Sequence, residues 1–290
     1  MPSTRDIRRR IKSVKNTAQI TKAMQMVAAS KMRKAQQAAL AGRPYAQLMN
    51  KVLAAVAAET TEDSHPFLEK REGDRRCVIL ISTDKGLCGG LNSNLMREAA
   101  KFEAGAVFIA AGRKGSQYLA RAKRRMLAEF TYKDAPLFAE GRAISKCAAD
   151  LFIQGEVDRV DIVFTNFIST LVQKPEARLL LPISEVAPVK AGMGADKAGS
   201  LPEPSGEFLF EPDQEHVLAA LLPHSLNFQI YQILLEAKAS EHSARMVAMK
   251  NATDNALQFI KDLTLEYNKV RQAGITKELL EIASAAMAMG

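Results

Sequence analysis

The chain has 290 residues, 47% of them hydrophobic and 25% charged, with no Trp and a net charge of +8. That length buries one large core or two modest ones. No run of about 18 apolar residues is present to span a membrane, and three cysteines without a CxxC pair argue against a disulfide framework and for a reducing compartment. His65, His216, His224 and His242 share no metal-ligand spacing with one another or with Cys77, Cys88 and Cys147, so no structural metal is expected; no bound cofactor is expected either.

The first zone runs from about Ser3 to Ala58. Ser3 and Asp6 form the S-x-x-D pattern of a helix start. Beyond them no proline occurs until Pro44, and the only glycine is Gly42. Ile7, Ile11, Val14 and Ala18 step by four, three and four, the spacing of a coiled-coil seam, and the stripe is expected to drift onto Met24, Val27 and Ala28. A helix of this length spans roughly 60–80 Å, too far for burial in one small core. Up to Arg43 its basic residues are Arg5, Arg8, Arg9, Arg10, Lys12, Lys15, Lys22, Lys31, Arg33, Lys34 and Arg43, against Asp6 as the single acid. Such a face implies an acidic partner: protein, nucleic acid or lipid headgroups. The Arg-rich start also mimics a mitochondrial transit peptide, but the pattern continues past Arg43 with no natural cleavage point and reads as a working helix.

The second zone, about Arg75 to Phe210, alternates short β-like runs with helical stretches. Cys77–Ser82, Ala106–Ala111 and Arg159–Phe164 read as buried strands, and Ser93–Phe102, Ser116–Lys123 and Leu137–Phe152 as helices. The alternation predicts an α/β domain with a mainly parallel sheet. Leu171–Pro182 reads as a later strand or hairpin, and Pro188–Gly206, rich in Pro, Gly and Ala, as a surface loop.

The third zone runs from about Glu211 to the end, with a kink or division expected at Pro223. From Met246 the heptad is regular: Met246, Met249, Thr253, Ala256, Ile260, Leu263, Tyr267, Val270 and Gly274. A sustained 3.5-residue period implies a left-handed supercoil with another helix. The available partner is the first zone, which would make the two ends of the chain an antiparallel pair with the α/β domain inserted between them. Gly274 costs about 1 kcal/mol relative to Ala inside a helix, which leaves either tolerated drift or the close approach of another backbone. The tip, where Met287 and Met289 lie among Ala283, Ala285, Ala286 and Ala288, is too apolar for a solvated end and suggests insertion into a sleeve of other chains.

Motifs for chemistry are thin. The turn STDKGLCGGLNSN follows the first candidate strand, where many proteins hold a phosphate, but Gly86, Gly89 and Gly90 do not fit G-x-G-x-x-G, and no P-loop occurs. Gly112-Arg113-Lys114-Gly115 fits neither pattern. No H-E-x-x-H or G-x-S-x-G is present, and no acid–base pair stands out. The basic stripe has no Phe, Tyr or Trp up to Arg43 with which to stack on bases. A nucleic-acid-binding coiled coil, with salt-sensitive affinity, and a nucleotide-using enzyme stay open as alternatives to a protein-binding shaft.

The stretch IRRRIKSVKNTAQITKAMQMVAASKMRKAQ, the turn STDKGLCGGLN and the stretch SEHSARMVAMKNATDNALQFIKDLTLEYNKVRQAGITKELLEI resemble the gamma subunit of F-type rotary ATP synthases, in order and from end to end. The bacterial form is implied, since the chain starts at the helix and lacks the Cys-bearing insert of chloroplast gamma subunits. The resemblance implies an α/β fold with a long antiparallel coiled coil of N- and C-terminal helices and an inserted Rossmann-like α/β domain. The divisions would be residues 1–60, 75–210 and 211–290, the last packing with the first. It implies a non-catalytic rotor shaft that couples rotation of the membrane c-ring to the catalytic beta subunits, regulates ATPase activity and proton flow, and works at the cytoplasmic face of the bacterial inner membrane. The implied partners are alpha and beta subunits, one gamma per hexamer, the epsilon subunit and the c-ring. No nucleic acid is involved, and the membrane is met only through the ring.

By the same resemblance Lys22, Met24, Arg271, Gln272, Thr276 and Glu278 contact beta subunits. Phe208 and Glu211 meet the ring's polar loops. Ile282, Met287 and Met289 form the tip in the hexamer sleeve. Gly274 stands where the family is expected to carry a somewhat larger residue. Alone, without partners to cover its apolar stripes, the chain is expected to be marginally stable or prone to aggregate.

Overall fold

The computed structural model describes residues 3–58, 65–183 and 213–289. The element order is α1 (Thr4–Ala41), α2 (Arg43–Ala58), β1 (Arg76–Ile81), α3 (Leu91–Ala99), β2 (Val107–Ala111), α4 (Arg113–Arg121), β3 (Met126–Phe130), α5 (Phe138–Ile153), β4 (Arg159–Phe167), β5 (Gln173–Leu181) and α6 (Gln214–Met289). Compactness divides the chain into two units, one formed by Met1–Ala28 with Met246–Gly290 and the other by Ala29–Arg245.

In the larger unit the strands form one sheet in the order β3-β2-β1-β4-β5, parallel except for β5, which pairs antiparallel with β4. Strand β1 is buried on both sides, and its alternation sorts the core. Cys77, Ile79 and Ile81 face Ile144 and Phe152 of α5, Met49 and Leu53 of α2, and Leu226, Ile230 and Leu234 of α6. Val78 and Leu80 face Leu95 and Ala99 of α3 and Leu119 of α4. Helices on both faces of a parallel sheet are the doubly wound arrangement. Burial also pushes the Cys77 thiol up to about 12, which leaves it an inert core residue. Gly141 of α5 lies so close to α6 that a Cβ would meet the Tyr231 backbone at 3.1 Å, and Ala35 and Ala39 let α1 approach Leu235 and Ala239 of α6.

The smaller unit is a pair of helices. Arg8 Nη2 donates to the Tyr267 hydroxyl at 2.7 Å, and the Thr21 and Thr253 hydroxyls share a 2.7 Å hydrogen bond in the buried seam. Partner numbers fall as α1 advances, so the pair is antiparallel. Every heptad position from Met246 to Val270 is buried or half-buried, whereas Gly274 is exposed, and a Cβ added there would meet nothing within 4 Å. Glycine there serves no close approach within the chain.

Four expectations need correction or completion. The stripe on α1 does not drift onto Val27, which is 55% exposed; it continues through Thr21 and Ala28 to Met32, Ala35 and Ala39, all buried. A threonine in the seam, satisfied by its opposite number, disguises the heptad. The first zone is two helices, parted at Gly42. Pro223 does not divide the third zone, since α6 runs unbroken through it. Strand β3, at the sheet edge with only a weakly apolar alternation, gives no readable signal, and the 171–182 run is the second arm of a hairpin with β4. The expected loop at Pro188–Gly206 lies outside the described residues.

Candidate functional site

The first place to look for chemistry is the carboxyl end of the sheet at the β1/β4 switch point, where doubly wound folds hold ligands. Here the chain occupies that place with its own helix. On the β4 side, Ser240 Oγ donates to the Thr165 carbonyl at 2.9 Å and Ser243 Oγ to the Thr170 carbonyl at 2.7 Å. On the β1 side, Arg245 Nη2 donates to the Gly86 carbonyl at 3.2 Å, within the glycine-rich turn. The Tyr132 hydroxyl donates to the Ser82 carbonyl at 2.9 Å.

The neighbouring α4 N-terminus, a second place for an anion, receives the Asp84 carboxylate, which accepts from Arg113 N at 3.0 Å. Gly112 has φ +102°, and a Cβ there would sit 2.2 Å from the Ser82 carbonyl oxygen. At the α4 N-terminus the groups that would cradle a phosphate are engaged within the chain, Lys114 N by the Thr83 carbonyl and Gly115 N by Ser82 Oγ.

Below this rim, α6 is buried on every side from Gln232 to Ser243, although it carries Glu236, Lys238, Glu241 and His242 there. Lys238 is 1% exposed. Its ammonium donates to Glu241 Oε2 at 3.0 Å, lies 3.7 Å from Asp134 Oδ1, and sits 4.5 Å from the Tyr132 ring centre. Lys31 of α1 pairs with the other Asp134 oxygen, and that hydrogen bond holds the Asp134 carboxyl below its ordinary value. Glu241 Oε1 accepts from Arg245 Nη2 at 2.8 Å.

His242 is kept neutral by burial, its pKa lowered to about 4. Arg245 Nη1 lies 3.3 Å from its Nδ1, and a guanidinium can only donate, so Nε2 carries the ring proton. The sequence reading misses this cluster. Its signal is a charged run, EAKASEHSAR, inside a long helix with no polar face to put it on.

The residues expected to meet partners lie elsewhere. Lys22 is exposed and Met24 half-buried on α1. Arg271, Gln272, Thr276 and Glu278 are all exposed near the end of α6. The Arg271 guanidinium lies 6.0 Å from the Tyr267 ring centre, which Arg8 approaches to 5.5 Å, so the pair of helices brings Arg8 and Arg271 to one aromatic. Thr276 Oγ1 donates to its own helix, at Gln272 O. Ile282 is 67% and Met287 85% exposed; Met289 is the last residue of α6. Phe208 and Glu211 lie outside the described residues.

The exposed basic stripe from Arg5 to Lys22 has Asp6 as its acid, bonded to Ser3 at the helix start as the S-x-x-D pattern predicts. Among the described residues no group of His, Cys, Asp and Glu could hold a metal, and no helix is long and apolar enough to cross a membrane.

Comparison with known proteins fixes the family. Residues 3–289 match the family model described as ATP synthase. The ATP synthase gamma chain of Opitutus terrae is 53% identical over 99% of both chains, and that of Methylacidiphilum infernorum 48% identical over the whole of both. The chain belongs to the ATP synthase gamma-chain family.

Among solved structures, the Tetrahymena thermophila mitochondrial ATP synthase central stalk and c-ring includes a chain that is 25% identical. It superposes with a TM-score of 0.59 over 80% of this chain and 99% of that one. A chain of the Euglena gracilis mitochondrial enzyme, 22% identical, shares the fold with a TM-score of 0.71 over 99% and 94%. As a gamma chain, the protein is a non-catalytic rotor subunit of the central stalk, and ATP chemistry belongs to the beta subunits. Its filled switch point is in keeping with that.

Proposed function

We propose that the paired terminal helices turn inside a hexamer of alternating alpha and beta subunits and hand rotation of the c-ring to the beta sites. The paired stretches within residues 1–60 and 211–290 supply the shaft, and 75–210, with the parts of α2 and α6 that pack on its sheet, the domain that takes the epsilon subunit and the ring. The observation that carries this reading is the end of α6. Residues 271–288 are exposed throughout, yet at 3.6 residues per turn Ile275, Leu279, Leu280, Ile282 and Met287 fall on one half of the helix, with Lys277 and Glu281 on the other. An apolar half-surface of this kind needs a partner.

In this reading Arg271, Gln272, Thr276 and Glu278 exchange charge-assisted hydrogen bonds with beta loops, and Lys22, Met24 and the basic stripe face acidic beta loops. Ile282, Met287 and Met289 sit in the sleeve, and Phe208 and Glu211 meet the ring's polar loops. The complex lies at the cytoplasmic face of the bacterial inner membrane, with the membrane met only through the ring.

The test is reconstitution of the purified chain with alpha and beta subunits from the same source. One copy per three alpha–beta pairs with stimulated MgATP hydrolysis is expected; no association overturns the reading. Met24→Lys then adds a charge facing an acidic loop and lowers coupling, while unchanged coupling removes Met24 from the contact.

A further inference from the structure

A buried lysine is an expensive residue. Replacing buried ion pairs by apolar groups of similar size is often neutral or stabilising, so adhesion alone does not explain the buried pair Lys238 and Glu241. What charge-assisted hydrogen bonds add is direction. Apolar attraction is non-directional, whereas a charge-assisted hydrogen bond fixes the geometry of its two partners and weakens when they are displaced.

The contacts form one continuous path. Lys31 of α1 holds Asp134, in the segment between β3 and α5, and Asp134 faces Lys238 of α6 at 3.7 Å. Lys238 holds Glu241 at 3.0 Å, Glu241 holds Arg245 at 2.8 Å, and Arg245 holds the Gly86 carbonyl after β1 at 3.2 Å. Tyr132, whose ring lies 4.5 Å from the Lys238 ammonium, is itself bonded to the Ser82 carbonyl. Two helices and two strand-end segments of the sheet are thereby tied through five charged side chains.

We infer that this cluster is a torsional joint, which carries torque between the sheet layer and helices α1 and α6, with Asp134 and Lys238 as its positioning residues. The inference rests on the rotor reading. A joint of this kind matters under load: with no opposing gradient, apolar packing suffices to drag the helices round, and against a large proton gradient the weakened joint yields.

The test uses the whole enzyme, assembled in membrane vesicles with the wild-type chain, Asp134→Asn, Asp134→Glu or Lys238→Met. Two quantities are read for equal amounts of assembled complex: ATP hydrolysis with an uncoupler present, and the steady pH gradient reached without it. Asp134→Asn and Lys238→Met are expected to hydrolyse ATP at near the wild-type rate when uncoupled, while the gradient falls by about twofold or more; Asp134→Glu restores it. Asp134 is half-exposed, so its variants keep the test valid if Lys238→Met fails to fold.

A wild-type gradient in both charge-removing variants overturns the joint. So does a loss of hydrolysis and pumping in equal proportion, which is what a merely structural role produces. A wild-type complex that hydrolyses ATP but never pumps defeats the rotor reading instead, before any variant is compared.

Discussion

Residues 232–243 and residues 271–288 belong to one helix, yet their composition and surroundings are crossed. The first stretch is buried on every side and carries two glutamates, a lysine, a histidine and a glutamine; the second is exposed throughout and carries Leu279, Leu280, Ile282, Met287 and a run of alanines. Burial of charge is tolerated where each charge finds its counterpart inside the chain, as Lys238 finds Glu241. Exposure of apolar surface is tolerated where a counterpart arrives from outside. Lys238, Glu241 and Arg245 are paired within this chain, whereas the apolar half-surface at the terminal end is covered by none of its described residues, and perturbations should separate the two ends.

The largest expected effect is at the buried end. Glu241→Leu leaves Lys238 and Arg245 without their shared carboxylate and should cost about 3–5 kcal/mol, measured by denaturant unfolding of the isolated chain. A loss below about 1 kcal/mol would mean that water or Asp134 takes over the Lys238 charge, and the internal end would no longer count as a closed network.

Next comes pH. His242 faces Arg245, Lys238, Glu241 and Asp134, and burial lowers its pKa to about 4 from the ordinary 6.5. The unfolded chain therefore binds the proton more readily than the folded one, so stability is full above about pH 6.5 and falls as the pH drops towards 4. The loss amounts to up to about 3 kcal/mol. His242→Gln should remove that part of the slope and leave carboxylate-linked losses at lower pH. An unaltered slope would assign the dependence to other groups.

A smaller effect tests the helix pair. Thr21 and Thr253 satisfy each other at 2.7 Å in the seam. Either threonine replaced by Val leaves the other hydroxyl buried without its cross-helix partner and should cost about 1–2 kcal/mol. The double Val variant should return close to wild type, because both polar groups are gone and the shape is kept. Additive losses would show that the two hydroxyls act separately, each through its own helix carbonyl.

Legibility follows periodicity. The heptad from Met246 to Val270 can be read position by position because a two-helix seam buries a strict stripe, and strands β1, β2 and β4 because both their faces are covered. Strand β3 is hidden because an edge strand that carries a glutamate gives little apolar signal. The charged core of α6 is hidden for the opposite reason. A helix surrounded on all sides has no polar face, so its charges read as solvent contacts until the sheet ends that meet them are in place. Spacing alone argues against a phosphate site in the glycine-rich turn, but that α6 fills the crevice beside it depends on contacts between residues about 160 apart in the chain, such as Arg245 with Gly86. The contact residues proposed at the far end of α6 are nameable only through the family resemblance, since nothing within one chain specifies which partner would cover an exposed surface.

The smallest expected change in stability is the sharpest test of that incompleteness. Leu279→Ser and Ile282→Ser remove apolar groups that are 61% and 67% exposed, and substitutions at such positions should stay within about ±0.5 kcal/mol for the isolated chain. If the half-surface were idle, assembly with alpha and beta subunits would be equally indifferent. If it is covered in the complex, each substitution withdraws a buried side chain worth about 1.5–3 kcal/mol of transfer free energy, and binding should weaken by about tenfold or more. A double Ser variant that melts like wild type but assembles poorly therefore places the missing surface in the partner. One that melts early would show that the tip folds back on its own chain, and the contrast between the two ends of α6 would collapse.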